Sequence, residues 1–354
     1  MCGICGQFRF DGEIVSIKSL DDMMSKLAKR GPDSKGKWLE GKIGFGHQRL
    51  SIIDLSNLGS QPMVDDFLKL TLVFNGTIYN YKALRSQLIS NGYVFFSNSD
   101  TEVIIKAYHF WGEDCVNHLD GMFAFAIWDR SSQQLFVARD RMGIKPLYFN
   151  ITSKAFTFAS NSQALLTQKL DKSINPVALH QQLSLHGVVP APNTIINGIQ
   201  KLKPGTFFTL SPNGKLREKT YWQPCAKRLE ENISDQDYIE RTHELLTSAV
   251  MKRMSASDVP IGVLLSGGLD SSLIVALLKE ADHEDIRTFS IGFEDIDDEV
   301  GSEFEYSDQI VSKFKTQHKK YQVSNKEVLP RLSEAVMNMS EPMVGQDAVA
   351  FYLL

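Results

Sequence analysis

The pattern of predicted secondary structure changes once along this chain, near residue 223, and this change constrains the fold more than any other feature. Before it, short β-rich runs alternate with a few helices; the strands predicted there are Ile43–Phe45, Leu70–Phe74, Phe123–Trp128, Leu135–Ala138 and Phe156–Ala159. After it, single strands alternate with helices, which is typical of βαβ units and a parallel sheet. The sequence therefore predicts an α+β domain followed by an α/β domain.

The chain has 354 residues, which is enough for two domains. We place the first domain at residues 2–222, a polar linker containing Pro224 at 223–234, and the second domain at 235–354. The strands predicted in the second domain are Ile261–Leu265, Arg287–Phe293 and Lys320–Val323. Three strands are few for a sheet of this kind, and the chain ends in an apolar run. We therefore expect the second domain to be truncated.

Composition favours a soluble globular protein over a nucleic-acid or membrane protein. The net charge is −4, so there is no basic surplus for a nucleic acid or an anionic membrane. No apolar run is long enough to cross a bilayer. The first residues, MCGICGQFRFDG, lack the charged start and apolar stretch of a signal peptide. We expect a cytoplasmic location, with neither a nucleic acid nor a membrane as partner.

Cys2 becomes the N-terminal residue once Met1 is removed. Its thiol and its α-amino group then form a nucleophile with its own base, because an α-amino group titrates near neutral pH. Cys2 also forms a C-x-x-C pair with Cys5, which is an alternative redox or zinc signal, although no second cysteine or histidine pair completes a zinc site. We expect Cys5, Cys115 and Cys225 to be small buried side chains.

A second motif, IGVLLSGGLDSS at Ile261–Ser272, combines a buried strand, a glycine turn and the start of a helix. Its turn amides, its serines and the helix dipole point hydrogen-bond donors at an anion. Asp270 fits such a loop if Mg²⁺ bridges its carboxylate to phosphates. The neutral alternative is a glycine turn capped by serines. Neither G-x-x-x-x-G-K-[ST] nor G-x-G-x-x-G is present, which disfavours kinase-like and dinucleotide sites.

S-G-G-x-D-S after a strand resembles the pyrophosphate loop of the ATP pyrophosphatases, which cleave ATP between its α and β phosphates. Leu265 and Ile291 are predicted to lie at the carboxyl ends of neighbouring strands, where parallel sheets of this kind bind ligands. The ATP-binding residues that this resemblance implies are Leu265, Ser266, Gly267, Gly268, Asp270, Ser271, Ser272 and Ile291.

Seven motifs occur in order in the first domain, and they are MCGICG, RGPD, GHQRLSIIDLS, FNGTIYNY, SDTEVI, DGMFAFAIWD and ARDRMGIKPLY. Together with SGGLDSS they resemble the glutamine-dependent asparagine synthetase family. The resemblance implies an N-terminal-nucleophile glutaminase domain, which is an αββα sandwich, followed by an α/β parallel-sheet ATP-pyrophosphatase domain. It implies ATP with Mg²⁺ as substrate and counter-ion, and no prosthetic group.

The resemblance also assigns a glutamine site around Cys2. Cys2 attacks the side-chain amide of L-glutamine, Asn75 and Gly76 stabilise the oxyanion, Arg49 binds the α-carboxylate and Asp100 binds the α-ammonium. The remaining pocket residues are Leu50, Ile52, Ile53 and Thr77. Thr77 is a departure from the family, because many of its members carry glutamate at this position.

Several of these residues have simpler interpretations. Asn75-Gly76 between apolar runs is a common hairpin-turn signal. Arg49 and Asp100 fit surface ion pairs, and Asp100 also fits a helix N-cap. These alternatives remain open at the level of sequence.

The resemblance implies that the acceptor of the nitrogen is a small carboxylate, which is activated as an acyl-adenylate with release of AMP and pyrophosphate. Three stretches resemble the N-acetylglutaminylglutamine amidotransferase branch of the family, and they are His186–Pro192, Gly292–Asp308 and Met339–Leu354. We therefore prefer the acetylated glutamine dipeptide, a precursor of a compatible solute, as the acceptor. The alternatives are aspartate, as in asparagine synthetase, and a glutaminase-only module. A homodimer is a possible assembly.

Overall fold

The computed structural model of the chain describes residues 1–227, 233–295, 301–343, 349, 352 and 353. It divides into two compact units, of which the first comprises Met1–Cys225 with Ser340–Pro342 and the second comprises Ala226–Met339 with Met343–Leu354. Parts of three sequence predictions lie outside the described residues. These parts are 228–232 of the linker, 296–300 of the acidic stretch, and 344–348, 350, 351 and 354 of the C-terminal stretch.

The described part of the first unit contains two six-stranded antiparallel sheets. Their strands are β1 (Gly3–Arg9), β2 (Ser34–Glu40), β3 (Ile43–Arg49), β4 (Met63–Asp65), β5 (Leu70–Ile78), β6 (Gly121–Asp129), β7 (Gln134–Arg139), β8 (Tyr148–Ile151), β9 (Ala155–Ala159), β10 (Gln200–Lys201), β11 (Thr206–Leu210) and β12 (Leu216–Thr220). The first sheet has the order β10-β8-β9-β1-β3-β2, and the second has the order β12-β11-β7-β6-β5-β4.

Helices cover the outer faces of both sheets. They are α1 (Ile17–Ser25), α2 (Tyr81–Ser90), α3 (Asp100–Trp111), α4 (Cys115–His118), α5 (Ser162–Leu165) and α6 (Pro176–Ser184), with short 3₁₀ turns at Ala28–Arg30, Asn57–Gly59 and Gly112–Asp114. Side chains of α1 and α5 pack with Cys5 on the first sheet. Side chains of α2, α3 and α4 pack on the second sheet. The predicted αββα sandwich is confirmed.

The core between the two sheets combines aliphatic and aromatic side chains, and its fully buried rings include Phe8, Phe45, Trp128, Phe156 and Phe158. Because helices cover the outer faces, the central strands are buried on both sides. They therefore read as continuous apolar runs rather than as alternating patterns.

The second unit alternates strands and helices, as the sequence predicts. Its elements are α7 (Asp235–Ser255), β13 (Gly262–Leu264), α8 (Leu269–Glu280), β14 (Arg287–Phe293), α9 (Phe304–Phe314), β15 (Gln317–Val323) and α10 (Asn325–Asn338). The three strands form a parallel sheet in the order β13-β14-β15. Among the described residues, no helix is both long enough and apolar enough to cross a membrane.

The structure decides one alternative left open by the sequence and corrects one expectation. Asn75 and Gly76 do not form a hairpin turn, because β5 continues through both residues and pairs with β6 along its whole length. Cys225 is exposed rather than buried, because it lies beyond the last strand of the first unit. All four cysteines are free, so Cys2 and Cys5 form no disulfide.

Candidate active site

The pairing of β1 with β3 places Cys2 beside Leu50. Gly3, the first residue of β1, lies opposite Gln48 near the end of β3, so the residues just outside the two strands meet. The backbone N–H of Leu50 donates to the Cys2 sulfur at 3.4 Å, and the thiol lies 3.5 Å from the Leu50 carbonyl oxygen. The antiparallel register therefore anchors the thiol to the backbone.

Asn75 lies in β5 of the facing sheet and is only 1% exposed. Neither its side-chain oxygen nor its side-chain nitrogen has a hydrogen-bond partner among the described residues. A buried polar group without a partner costs about 1–3 kcal/mol. An amide left in this state at the wall of a cavity is well suited to receive a ligand.

Gly76 follows Asn75 and has no room for a side chain. A Cβ atom there would lie 2.2 Å from the Met122 carbonyl oxygen and 2.5 Å from the Phe74 ring. The backbone of β5 can approach a ligand at this position only because the residue is glycine.

Asp100 is the first residue of α3 rather than its N-cap. Ser99 is the cap, because its hydroxyl accepts from the Thr101 N–H at 3.1 Å. The Asp100 carboxylate instead turns inward and accepts from the Ile78 N–H at 3.0 Å. Burial raises its pKa to about 7, although the hydrogen bonds that it accepts oppose this shift. A cation beside it would restore the charged form.

Arg49 is buried, so it is not a surface ion-pair residue. Its guanidinium donates to the carbonyl oxygen of Ser56 at 2.9 Å and to that of Asp54. A guanidinium has five N–H groups, so these two bonds leave donors for a ligand. The two bonds also hold the loop after β3 against the cavity.

One cavity of about 270 Å³ contacts every residue predicted for the glutamine site, namely Cys2, Arg49, Leu50, Ile52, Ile53, Asn75, Gly76, Thr77 and Asp100. Its other lining residues are Met1, Gly59, Gln61, Phe74, Ser99, Thr101, Met122 and Lys145. The structure thus brings together side chains from both sheets and from the start of α3. The chemical roles assigned to them remain predictions.

Three residues at this site were not assigned a role from the sequence. Arg30 donates from Nε to the Cys2 carbonyl oxygen at 3.1 Å. Gln61 accepts from the Phe74 N–H at 2.6 Å and so fixes the start of the Asn75 segment. Lys145 reaches the cavity from the loop after β7. Arg30 and Lys145 belong to the RGPD and ARDRMGIKPLY motifs, which were the signals available for them.

Opposing effects act on the ionisation of the Cys2 thiol. Burial raises its pKa, while the Leu50 N–H and the positive N-terminus lower it. In the described chain the Cys2 nitrogen is an amide, because Met1 precedes it. Met1 is 55% exposed, so an aminopeptidase can reach it and release the α-amine.

The SGGLDSS loop joins β13 to α8, and Gly267 at its centre has φ +87°. A Cβ atom at Gly267 would lie 2.5 Å from the Ser307 nitrogen, so the turn requires glycine. The hydroxyls of Ser266 and Ser271 lie 3.1 Å apart across the turn. The Ser272 hydroxyl is buried and has no partner among the described residues. An unpaired hydroxyl at a helix start fits a phosphate ligand.

The other residues predicted for ATP lie close to this loop. Leu265 follows β13, and its N–H donates to the Phe289 carbonyl oxygen at 2.8 Å. Gly268 is the N-cap of α8, and Asp270 is exposed in its first turn. Ile291 lies inside β14, two residues before its end, rather than at the end as expected. Among the described residues no group of three or more His, Cys, Asp or Glu side chains could hold a metal ion.

Comparison with known proteins matches the chain to two families. The glutamine amidotransferase domain family matches residues 1–222, and the asparagine synthase family matches residues 241–354. Asparagine synthetase [glutamine-hydrolyzing] 1 of Bacillus subtilis is 35% identical to the chain over 361 residues, covering 100% of the chain and 55% of that protein. A putative asparagine synthetase of Methanocaldococcus jannaschii is 37% identical, covering 91% of the chain and 64% of that protein.

Two further proteins that resemble the chain carry other names. Amidase chry2 of Gibberella zeae is 34% identical, covering 78% of the chain and 43% of that protein. A solved glutamine phosphoribosylpyrophosphate amidotransferase of B. subtilis is 16% identical, covering 90% of the chain and 65% of that chain at a TM-score of 0.46. The chain spans 55% of the length of the first relative and 64% of the second.

Proposed function

This chain belongs to the glutamine-hydrolysing asparagine synthetase family, and from that premise we propose that it is an ATP-dependent amidotransferase. It takes nitrogen from the side chain of L-glutamine and transfers it to a carboxylate. The observation that carries the proposal is the buried, unpartnered amide of Asn75 in the cavity that also contains Cys2. In the proposed complex, an oxygen of the bound ligand accepts a hydrogen bond from that amide.

Two charged groups in the proposed site recognise the amino-acid end of glutamine. The free N–H groups of Arg49 bind the α-carboxylate, and Asp100 binds the α-ammonium. Both side chains are buried, so their interactions with the ligand are weakly screened by water. Leu50, Ile52 and Ile53 pack against the methylene groups between the two ends.

Hydrolysis begins when the free α-amine of Cys2 takes the thiol proton. The thiolate then attacks the side-chain carbonyl carbon of glutamine, and the resulting oxyanion accepts hydrogen bonds from Asn75 Nδ2 and the Gly76 N–H. As the C–N bond breaks, the ammonium of Cys2 returns its proton to the departing nitrogen, which leaves as ammonia. Water hydrolyses the thioester and releases glutamate.

The second unit activates the acceptor. Its SGGLDSS loop binds the β and γ phosphates of ATP through turn amides and through the hydroxyls of Ser266, Ser271 and Ser272. Mg²⁺ neutralises phosphate charge when bound, and Asp270 is the residue that would hold it. The acceptor carboxylate attacks the α-phosphate and displaces pyrophosphate, and ammonia then replaces AMP on the acyl group.

Two acceptors compete in this proposal. Aspartate is favoured by the names of the two asparagine synthetases that the chain resembles. The acetylated glutamine dipeptide is favoured by the stretch His186–Pro192, whereas the other two stretches that suggested it lie partly outside the described residues. The relatives named above support aspartate and give the dipeptide no support.

Release of pyrophosphate by the full-length protein tests the proposal. With glutamine and ATP present, we expect one of the two acceptors to stimulate release of pyrophosphate and formation of AMP. In C2A, glutamine should no longer support synthesis, whereas ammonium salts should still do so. Glutaminase activity without acceptor-dependent pyrophosphate release would favour the glutaminase-only alternative, and glutamine hydrolysis by C2A would exclude Cys2 as nucleophile.

A further inference from the structure

Lys145 is a buried lysine without an ion-pair partner among the described residues. It is only 4% exposed and lines the same cavity as Cys2. Within the same part of the chain, its ammonium also makes no hydrogen bond. Lysine is almost never fully buried unless it is paired, because removing its charge from water is costly. Such a costly arrangement suggests that the charge has a use.

The loop that carries Lys145 is built around the carboxylate of Asp140. This carboxylate accepts from the N–H groups of Phe123 at 3.1 Å, Met142 at 3.2 Å, Ile144 at 2.9 Å and Lys145 at 2.9 Å. This network holds the backbone of Lys145 beside the cavity.

Arg139 also fixes this loop, because it donates hydrogen bonds to two of the loop's carbonyl oxygens. Its Nε donates to the Lys145 carbonyl oxygen at 2.7 Å, and its other nitrogens donate to Gly143 at 2.7 Å and Leu202 at 2.5 Å. Gly143 adopts φ +67°, a conformation that favours glycine. These hydrogen bonds fix the backbone of the ARDRMGIK segment and so place Lys145 beside the cavity.

Positive charge surrounds the N-terminus. Burial lowers the pKa of the Met1 amino group and Cys2 opposes this shift; the charges of Arg30 and Lys145 lower the pKa further, and Asp33 raises it. Burial, and then the charge of Arg30, lower the pKa of Lys145, while Cys2 and Asp140 oppose this shift. The charged or titratable groups that face Cys2 and its nitrogen are Arg30, Asp33, Arg49, Asp100 and Lys145. Arg30 and Arg49 donate to carbonyl oxygens, whereas the Lys145 ammonium makes no hydrogen bond among the described residues. Arg30 Nη2 is also buried without a partner there.

We propose that the positive charge of Lys145 activates Cys2. With this charge nearby, the pair formed by the Cys2 thiol and the Cys2 α-amine loses a proton at a lower pH than it would without the charge. Its ammonium stabilises the thiolate and disfavours a second positive charge on the α-amine. Lys145 therefore acts through Cys2 rather than by contact with glutamine. This inference rests on the proposed function, because it gives the lysine a part in glutamine hydrolysis.

The test is the pH dependence of Cys2 alkylation in the full chain after removal of Met1, with iodoacetamide as the probe and peptide mass spectrometry as the readout. A unit charge several ångströms away shifts a pKa by about one unit in a protein environment. In K145M we expect the pH midpoint of Cys2 alkylation to rise by about one pH unit. Below that midpoint, alkylation of Cys2 should be about tenfold slower than in the unaltered chain. Exposed Cys225 is the internal control, and its rate should stay unchanged.

A second variant and a stability measurement separate charge from shape. K145R keeps the charge and should alkylate as the unaltered chain does. K145M removes a buried unpaired charge, so its Tm should be equal or higher, whereas a merely structural lysine would leave it lower. An unchanged Cys2 midpoint in K145M, a K145R midpoint equal to that of K145M, or a lower Tm in K145M would each overturn the proposal.

The proposed function can fail separately from this inference. If K145M shifts the Cys2 midpoint but the unaltered chain does not hydrolyse glutamine, the charge effect on Cys2 stands and the glutaminase assignment falls. If the unaltered chain hydrolyses glutamine and K145M does so with the same pH profile and the same alkylation midpoint, the inference falls and the function stands.

Discussion

Asp100 makes glutamine binding depend on pH. Its carboxyl group is buried, and burial raises its pKa to about 7 in the absence of a ligand. The α-ammonium of glutamine binds the ionised carboxylate rather than the neutral acid. Because a raised carboxyl pKa leaves the group protonated at lower pH, affinity for glutamine should fall as pH decreases through 7.

The size of the effect follows from the pKa. With a value of about 7, roughly 9% of the carboxyl groups are ionised at pH 6 and roughly 91% at pH 8. The apparent Kd scales inversely with the competent fraction, so affinity should rise about tenfold between these two values. Replacement by asparagine in D100N should remove this dependence. It should also weaken binding by at least about thirtyfold, since truncating a buried charge pair costs about 2–5 kcal/mol.

Calorimetric titration of glutamine into C2A measures this dependence without turnover. The same variant titrated with a glutamine analogue that lacks the α-amine is the control, and its affinity should not rise with pH. The double variant C2A/D100N should bind glutamine weakly at every pH. A glutamine affinity that stays constant between pH 6 and pH 8 would refute the role of Asp100 as the ligand of the α-ammonium.

Three further substitutions test the two sites. N75A should lower kcat for glutamine hydrolysis by about 10²–10³ through loss of an oxyanion donor. Its Tm should stay nearly unchanged, because the Asn75 amide has no partner in the described structure. A clearly lower Tm in N75A would indicate that Asn75 is structural. G76A should lower both activity and Tm, because its Cβ would lie 2.2 Å from a backbone oxygen. An unchanged Tm in G76A would contradict this expectation. G267A should abolish pyrophosphate release but spare glutamine hydrolysis, because a Cβ atom at this φ +87° position would lie 2.5 Å from the Ser307 nitrogen. Pyrophosphate release retained in G267A would argue against the loop conformation.

Much of the architecture could be predicted because its signals are local. The alternation of strands and helices after residue 233 follows from apolar periodicity and from caps such as Ser234, whose side chain closes a capping box with Asp237. The strand–glycine–helix pattern likewise located the SGGLDSS loop. These features depend on residues that are neighbours along the chain.

Predictions that depended on distant partners were less secure. Asn75-Gly76 has the sequence of a turn, yet both residues lie within a strand because β6 pairs with them from residues about 50 positions away. Asp100 looked like a helix cap, but Ser99 takes that role and frees its carboxylate for the interior. Only packing decides between such alternatives, since local propensities for them are similar.

The sequence by itself determined which chemical groups are available: a cysteine that can become N-terminal, an arginine, an asparagine and an aspartate in ordered motifs, and a glycine-rich loop after a strand. The tertiary structure alone decided how those groups behave. It left the Asn75 amide without a partner, raised the pKa of Asp100, and placed the unpaired ammonium of Lys145 in the cavity with Cys2. Burial and electrostatic interaction depend on distances in space, and here those distances join segments more than a hundred residues apart.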